Sequence, residues 1–287
     1  MAKGRELKGR IKSVENTRKI TRTLEMVATS KMKRAQDRVA AARPYANSLA
    51  EVIAGLYSPD LAERFPLLRQ PAKINRAAVI LLTSNRGLAG GFNSNLIKEG
   101  RNLLRRLDGE GVETQLHVVG KKGLGYFKYI GREVASSRID ITDRPTAQNA
   151  AELVDGLIDQ FASGAIDAVY VVYSKFISSL STPPTSVQIL PVTPPAAKGP
   201  RPDYLLYPSA EAILVELLPL YVRNAVYRGL VENEAAFQSA QRTAMKNATD
   251  NAGDIINVLR RTYNRARQAQ ITQEIAEIVG GSAALEG

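Results

Sequence analysis

Few residues of this chain are of the types that do chemistry. There is no cysteine and a single histidine, His117, so disulfides, thiolate metal sites, thiol redox switching and a histidine zinc cluster are excluded. Glu274 and Glu277 lie three apart, the spacing of neighbours on one helical face, and could form a carboxylate pair. No nucleophile or metal partner is near them in sequence, so they are read as solvated or hydrogen-bonding groups. The run Arg86-Gly87-Leu88-Ala89-Gly90-Gly91, between a predicted strand and a predicted helix, could let backbone amides approach a phosphate. Its spacing fits neither GxGxxG nor the GxxxxGK signature, and a structural turn is expected there. His117 falls inside a predicted strand as a packed residue. No catalytic residue, metal or cofactor is expected.

These residues sit on elements of two kinds. Ala77–Thr83, Thr114–Gly120 and Ala165–Tyr173 are short β-rich apolar runs suited to strands buried on both faces, and Ser186–Val192 is a further candidate. Between them Phe92–Leu107, Lys122–Ile130 and Thr146–Phe161 carry helical spacing. Strand and helix alternating at this pitch predict parallel β-α-β units, hence a small Rossmann-like α/β domain over residues 74–200. The proline-rich stretch Pro183–Pro208 leads out of it.

The two ends of the chain are different. An N-terminal helix is predicted over residues 1–57, with apolar positions Leu7, Ile11, Val14, Ile20, Leu24, Val27 and Met32, and a bend at Pro44. A C-terminal helix is predicted over residues 209–287, capped at Ser209 and stopped by Gly280-Gly281, with Pro219 and Gly253 as weak points. In it Ile255, Ile256, Leu259, Tyr263, Ala266, Ile271, Ile275 and Ile278 recur at three and four, the a/d logic of a coiled coil. No small domain covers a helix this long, so its stripe must meet another long helix. The fold class is therefore α/β with a long antiparallel coiled coil of the two termini, Thr17, Thr21, Ala28, Ala35 and Ala266 allowing close approach in its seam.

The 39 Lys+Arg against 28 Asp+Glu give a net charge of +11. The excess is local: residues 1–43 hold 13 basic and 4 acidic side chains, whereas residues 209–287 hold 8 and 9. No run of about 18 apolar residues and no signal-peptide core is present, so a soluble protein, able to lie peripherally on a membrane, is expected.

Three stretches carry a resemblance. Ile11–Met32 (IKSVENTRKITRTLEMVATSKM), Ala244–Ala252 (AMKNATDNA) with Tyr263–Gly281 (YNRARQAQITQEIAEIVGG), and Thr83–Leu96 (TSNRGLAGGFNSNL) resemble the gamma subunits of bacterial F-type ATP synthases, across essentially the whole chain. The resemblance implies a non-catalytic rotor shaft. Its coiled coil would thread a ring of three alpha and three beta subunits, with the α/β domain near the membrane against the epsilon subunit and the c-ring, on the cytoplasmic face of the bacterial inner membrane. It would couple proton-driven c-ring rotation to ATP synthesis or hydrolysis.

The resemblance also implies partner-binding residues. Leu24 and Glu25 match positions facing the acidic lever of beta; Gln268 and Thr272 match positions that hydrogen-bond a loop of beta; the last residues, about Ile275 to Leu285 and with them Ile278, match the tip turning in an apolar sleeve of the ring. Tyr204 and Tyr207 fall where the family places its c-ring and epsilon contacts. Two departures stand out. Leu24 stands where the family often has Met, and Ala240-Gln241-Arg242 replaces Ala-Arg-Met, so the family's arginine contact is lost at Gln241 or displaced to Arg242.

The residues alone leave other readings open. The basic face (Lys8, Arg10, Lys12, Arg18, Lys19, Arg22, Lys31, Lys33, Arg34) could be a solvated surface or guidance toward acidic partners, and the resemblance tips the balance toward guidance. A basic coiled-coil nucleic-acid binder ranks second, with steep salt dependence as its signature, although no interleaved aromatics support single-strand stacking. A nucleotide-dependent enzyme on the α/β domain ranks third. No nucleic-acid partner is expected on the first reading.

Overall fold

The computed structural model describes residues 2–57, 64–193, 207 and 209–285. Its elements are α1 (Ala2–Leu56), a 3-10 turn at Pro66–Leu68, β1 (Arg76–Leu82), α2 (Phe92–Gly109), β2 (Glu113–Val119), α3 (Lys121–Tyr129), β3 (Ser136–Arg138), α4 (Ala147–Ala162), β4 (Ala168–Ser174), β5 (Pro184–Leu190) and α5 (Ala210–Leu285). They fall into two compact units, one of residues 1–28 with 241–287 and one of residues 29–240.

The larger unit is built on a five-stranded sheet of order β3-β2-β1-β4-β5. All pairings are parallel except β4 with β5, so the candidate strand at the proline-rich exit joins as an antiparallel edge. The central strand RAAVILL is buried at every residue after Arg76, because both faces of the sheet are covered. Side chains alternate across a strand. Accordingly Ala78, Ile80 and Leu82 enter one apolar cluster with Val154, Leu157 and Phe161 of α4 and Leu214, Leu218, Val222 and Val226 of α5. Ala77, Val79 and Leu81 enter another with Leu96, Leu103 and Leu107 of α2. The middle of α1 contributes to both, through Leu49 and Ile53 in the first and Ala35 and Val39 in the second.

Helix α4 begins in a capping box, the Thr146 hydroxyl accepting from the Asn149 amide and the Asn149 side chain accepting from the Thr146 amide. Ser209 caps α5, its hydroxyl accepting from the Ala212 amide at 3.3 Å. Strand β3 was not expected. Its sequence, Ser136-Ser137-Arg138, has no apolar alternation, and its place is set by backbone pairing to β2 at the sheet edge.

In the smaller unit the first part of α1 and the last part of α5 lie antiparallel. Thr21 meets Thr249, their hydroxyl oxygens 2.8 Å apart, and Glu15 meets Arg260 at 2.6 Å. Moving toward the N-terminus on one helix thus moves toward the C-terminus on the other. Sequence and structure differ in three respects here. Ile20 and Val27, assigned to the inward stripe, are exposed at 61% and 47%, while Thr21 and Ala28 beside them are buried. The covered line of α1 runs through 7, 11, 14, 21, 25 and 28, with exposed Arg18 at the intervening heptad position and exposed Thr17 outside the seam; its later members are polar or small, so an apolar criterion selects their neighbours instead. Ile271, Ile275 and Ile278 lie outside the seam, because every residue from 271 to 281 is exposed. Finally, Gly280-Gly281 does not stop the helix, which runs to Leu285; glycine disfavours a helix interior by only about 1 kcal/mol per residue. Pro44 and Pro219 also lie inside unbroken helix.

Candidate functional site

The α/β domain fills the β4 side of its usual ligand position with α5. In an open sheet of this kind ligands sit beyond the carboxyl ends of the strands, where the strand order reverses, here between β1 and β4. The end of β4 is taken by α5: the Asn233 side-chain oxygen accepts from the Ser174 amide at 3.0 Å, and buried Glu232 accepts from the Phe176 amide at 3.3 Å while pairing with Arg228 at 2.8 Å. The glycine-rich run after β1 is a turn closed by its own side chains. Asn93 Oδ1 accepts from the Ser84 amide at 3.0 Å, and the Ser84 hydroxyl donates to the Arg86 carbonyl at 2.6 Å. Ser84 and Asn93, on either side of the run, thus hold it as a turn.

His117 is half-buried on β2 with Nδ1 2.7 Å from the Ser136 hydroxyl, and burial lowers its pKa. It packs between β2 and β3, opposite Ser136. Glu274 and Glu277 accept from Gln270 and Gln273 respectively, each one turn back on the exposed end of α5. Among the described residues no group of three His, Cys, Asp or Glu side chains could hold a metal.

The outer surface of the helix pair is what remains, and its composition is unusual for a solvated face. The seam of α5 continues Met245, Thr249, Ala252, Ile256 at spacings of four, three and four, with Leu259, Tyr263, Ala266 and Gln270 half-buried after it. Beyond Gln270 the helix goes on without a covered face. Ile271, Ile275, Ile278 and Val279 are exposed at 47%, 57%, 72% and 62%, a row at spacings of four and three. A solvated helix end gains nothing from such a row, since each buried isoleucine is worth about 1.5–3 kcal/mol that water withholds. Ile20 and Met26 are likewise exposed on α1, and Ile255 and Val258 on α5.

The expected partner residues are distributed over this unit. Leu24 and Glu25 are half-buried on α1. Gln268 and Thr272 are exposed one turn apart, the Thr272 hydroxyl donating to the Gln268 carbonyl at 3.0 Å. Ile275 and Ile278 are in the open row. Gln241 and Arg242 are both half-buried, and Arg242 stands in the seam line three residues before Met245, with Gln241 beside it. At the other end of α5, Tyr207 is 91% exposed; Tyr204 lies outside the described residues. Ile20 and Ile255, both assigned to the seam in the sequence, are exposed instead, and the exposed Met26 and Val258 were not singled out there; the heptad count, applied to positions rather than to hydrophobicity, is the signal that separates them from the seam.

The basic face is partly paired. Lys33 joins Asp37 at 3.1 Å and Arg10 joins Glu6 at 2.9 Å along their own helix. Lys31 reaches Asp143 of the loop after β3 at 2.7 Å, and Arg38 donates to the Asp143 carbonyl at 2.8 Å. No helix among the described residues is long and apolar enough to cross a membrane.

Comparison with known proteins accounts for this arrangement. The family model described as ATP synthase matches residues 3–285. The ATP synthase gamma chain of Gemmatimonas aurantiaca is 66% identical, with 100% of each chain covered. The chain belongs to the ATP synthase gamma family. The gamma chain of Frankia casuarinae is 42% identical over 98% of this chain and 97% of its own. Among solved structures, a chain of the mitochondrial ATP synthase of Euglena gracilis in its OSCP/F1/c-ring assembly has a TM-score of 0.68 at 20% identity, covering 99% of this chain and 95% of that one. A chain of the central stalk and c-ring structure from Tetrahymena thermophila has a TM-score of 0.63 at 23% identity, over 80% and 99%; at such identities these likenesses speak to the fold. As a member of this family it is the central rotor subunit of the F-type enzyme, without a catalytic site of its own. The paired terminal helices, the mixed α/β sheet and the unpartnered end of α5 are the parts of that rotor.

Proposed function

We propose that the exposed surface of this helix pair, rather than any pocket, carries the coupling function. In this reading the pair turns inside a ring of three alpha and three beta subunits, and the α/β domain contacts epsilon and the c-ring, with Tyr207 and the neighbouring Tyr204 on that side. Proton-driven rotation of the c-ring turns an asymmetric shaft inside a three-fold ring, so each beta subunit passes in turn through different nucleotide affinities. The complex lies on the cytoplasmic face of the bacterial inner membrane, and this chain is peripheral to it.

The single observation that carries the proposal is the open row Ile271, Ile275, Ile278 and Val279. It lies off the seam line of Met245 to Gln270, which would continue through Gln273 and Glu277, and so forms an outer apolar face of the helix; an apolar sleeve supplied by other subunits is the environment it fits. Leu24, Glu25, Gln241 or Arg242, Gln268 and Thr272 are the polar and steric contacts to beta in this reading. The basic face of α1 guides acidic segments of the ring at contact range, its field being screened beyond about 8 Å at physiological salt.

The test is reconstitution. Full-length chain mixed with alpha and beta subunits of the same organism is expected to form a complex with ATPase activity that requires it. Failure to assemble, or activity indifferent to its presence, overturns the proposal.

A further inference from the structure

Within the larger unit a cavity of about 300 Å³ lies against the carboxyl ends of β1 and β2, lined by Lys31 of α1, Thr83 and Arg86 after β1, Asp143 of the loop 139–145, and Glu234 and Gln238 of α5. Nothing in the coupling function uses it. Two carboxylates and one ammonium meet there. Lys31 Nζ holds Asp143 Oδ2 at 2.7 Å, and Arg38 fastens the same residue by its carbonyl at 2.8 Å. Glu234 has only an uncharged partner, the Gln238 amide, whose Nε2 donates to Oε1 at 2.7 Å. The other end of that amide is unfinished: Gln238 is 2% exposed, and its Oε1 has no hydrogen-bond partner. An ionised acid can use only the donor of the amide, whereas a protonated acid can also donate, and a half-turn of the Gln238 amide would present the oxygen to receive it.

We propose that this cavity is a proton-binding site in which Glu234 and Asp143 compete for Lys31, so that proton uptake by Glu234 clasps α1 to the loop 139–145. Every charged group facing Glu234 takes part. Lys31 and Arg38 on α1 favour its ionised form, Asp143 opposes it, and Arg86, which also lines the cavity, acts on Asp143. Burial outweighs them and pushes the Glu234 carboxyl up to about 7, while the hydrogen bond from Lys31 holds Asp143 below the usual range. Below neutrality Glu234 is therefore neutral, and Lys31 belongs to Asp143 alone. Above it a second carboxylate appears in the same half-open cavity and draws on the same ammonium, which weakens the Lys31–Asp143 bridge. The folded chain then binds more protons than the unfolded one between the ordinary glutamate value of 4.5 and about 7, so stability falls as pH rises through that window.

The experiment uses the full chain alone, so its outcome is separate from that of the coupling proposal. Carboxyl 13C signals of Glu-labelled wild type and Glu234→Gln protein are followed from pH 4 to 9, and amide exchange over residues 139–145, corrected for intrinsic rates, is measured at pH 6 and pH 8. The expected result is a Glu234 midpoint shifted from the ordinary 4.5 to about 7. Protection of the loop is lost at pH 8 in wild type, retained at both pH values in the isosteric Glu234→Gln variant, and lost already at pH 6 in Asp143→Asn. A midpoint at the ordinary glutamate value overturns the proton site. A midpoint near 7 with loop protection that does not follow it, or that follows it equally in Glu234→Gln, overturns the clasp.

Discussion

Replacing Ile275 and Ile278 together with glutamine separates a partner-binding row from a helix end that is merely apolar. Both side chains are mostly exposed, at 57% and 72%, so neither contributes packing to the chain itself, and glutamine is at least as good a helix former as isoleucine. The fold should not notice. If the row is buried by other subunits, the surface available to them is a little more than one isoleucine's worth of side chain, about 2–3 kcal/mol, or roughly 30- to 150-fold in affinity. The assay is titration of the variant into alpha–beta ring subunits with ATPase activity and complex formation as readouts, alongside thermal unfolding of the chain alone. The expected outcome is an unchanged unfolding midpoint with weakened assembly. Ile256→Gln serves as the converse control. That residue is 3% exposed in the seam, and a buried, unpaired amide there is expected to lower the stability of the helix pair by several kcal/mol. Assembly within twofold of wild type for the Ile275/Ile278 pair would refute the reasoning, because the row would then be open to water in the complex as well.

Gln268→Ala with Thr272→Ala is expected to lower ATPase turnover of the reconstituted complex without unfolding the chain, since both residues are exposed and the Thr272 hydroxyl only returns to its own helix; unchanged turnover removes them from the contact set. Gly120→Ala should destabilise the α/β domain by more than about 3 kcal/mol in chemical denaturation. Gly120 has φ +95, and a Cβ there would lie 2.3 Å from the Thr83 carbonyl oxygen. Thr146→Ala removes the capping-box acceptor of α4 and should cost about 1 kcal/mol by the same measurement.

What the sequence discloses depends on whether a position is chosen by burial or by pairing. The strands β1 and β4 are legible because every residue that packs is apolar, and both faces of the sheet are covered. The seam of the helix pair is legible only in part. Its inward line runs through Thr21 and Ala28, and the chain places isoleucine, methionine and valine one residue away at 20, 26 and 27, where water and not the partner helix meets them. A hydrophobicity rule therefore rotates the seam by one position, and the same rule extends it through Ile271, Ile275 and Ile278, which no helix among the described residues covers. The error is informative. Apolar residues displaced from a coiled-coil seam are what a second, outer interface requires, so the departure from the intrachain pattern marks the surface that the coupling function needs.

The cavity at Glu234 was illegible for a different reason. Lys31 read as one of nine basic residues on a solvated face, and nothing in its neighbourhood distinguishes it from Lys33, whose partner Asp37 is four residues away on the same helix. Its partner Asp143 is 112 residues distant, and its competitor Glu234 lies on the other terminal helix. Local spacing can specify a surface ion pair of the Lys33–Asp37 kind, worth about 0.3–0.5 kcal/mol. It cannot specify a group whose ionisation is set by three elements converging from distant parts of the chain, and a charge cluster so assembled is for that reason one in which a regulatory role can sit unseen.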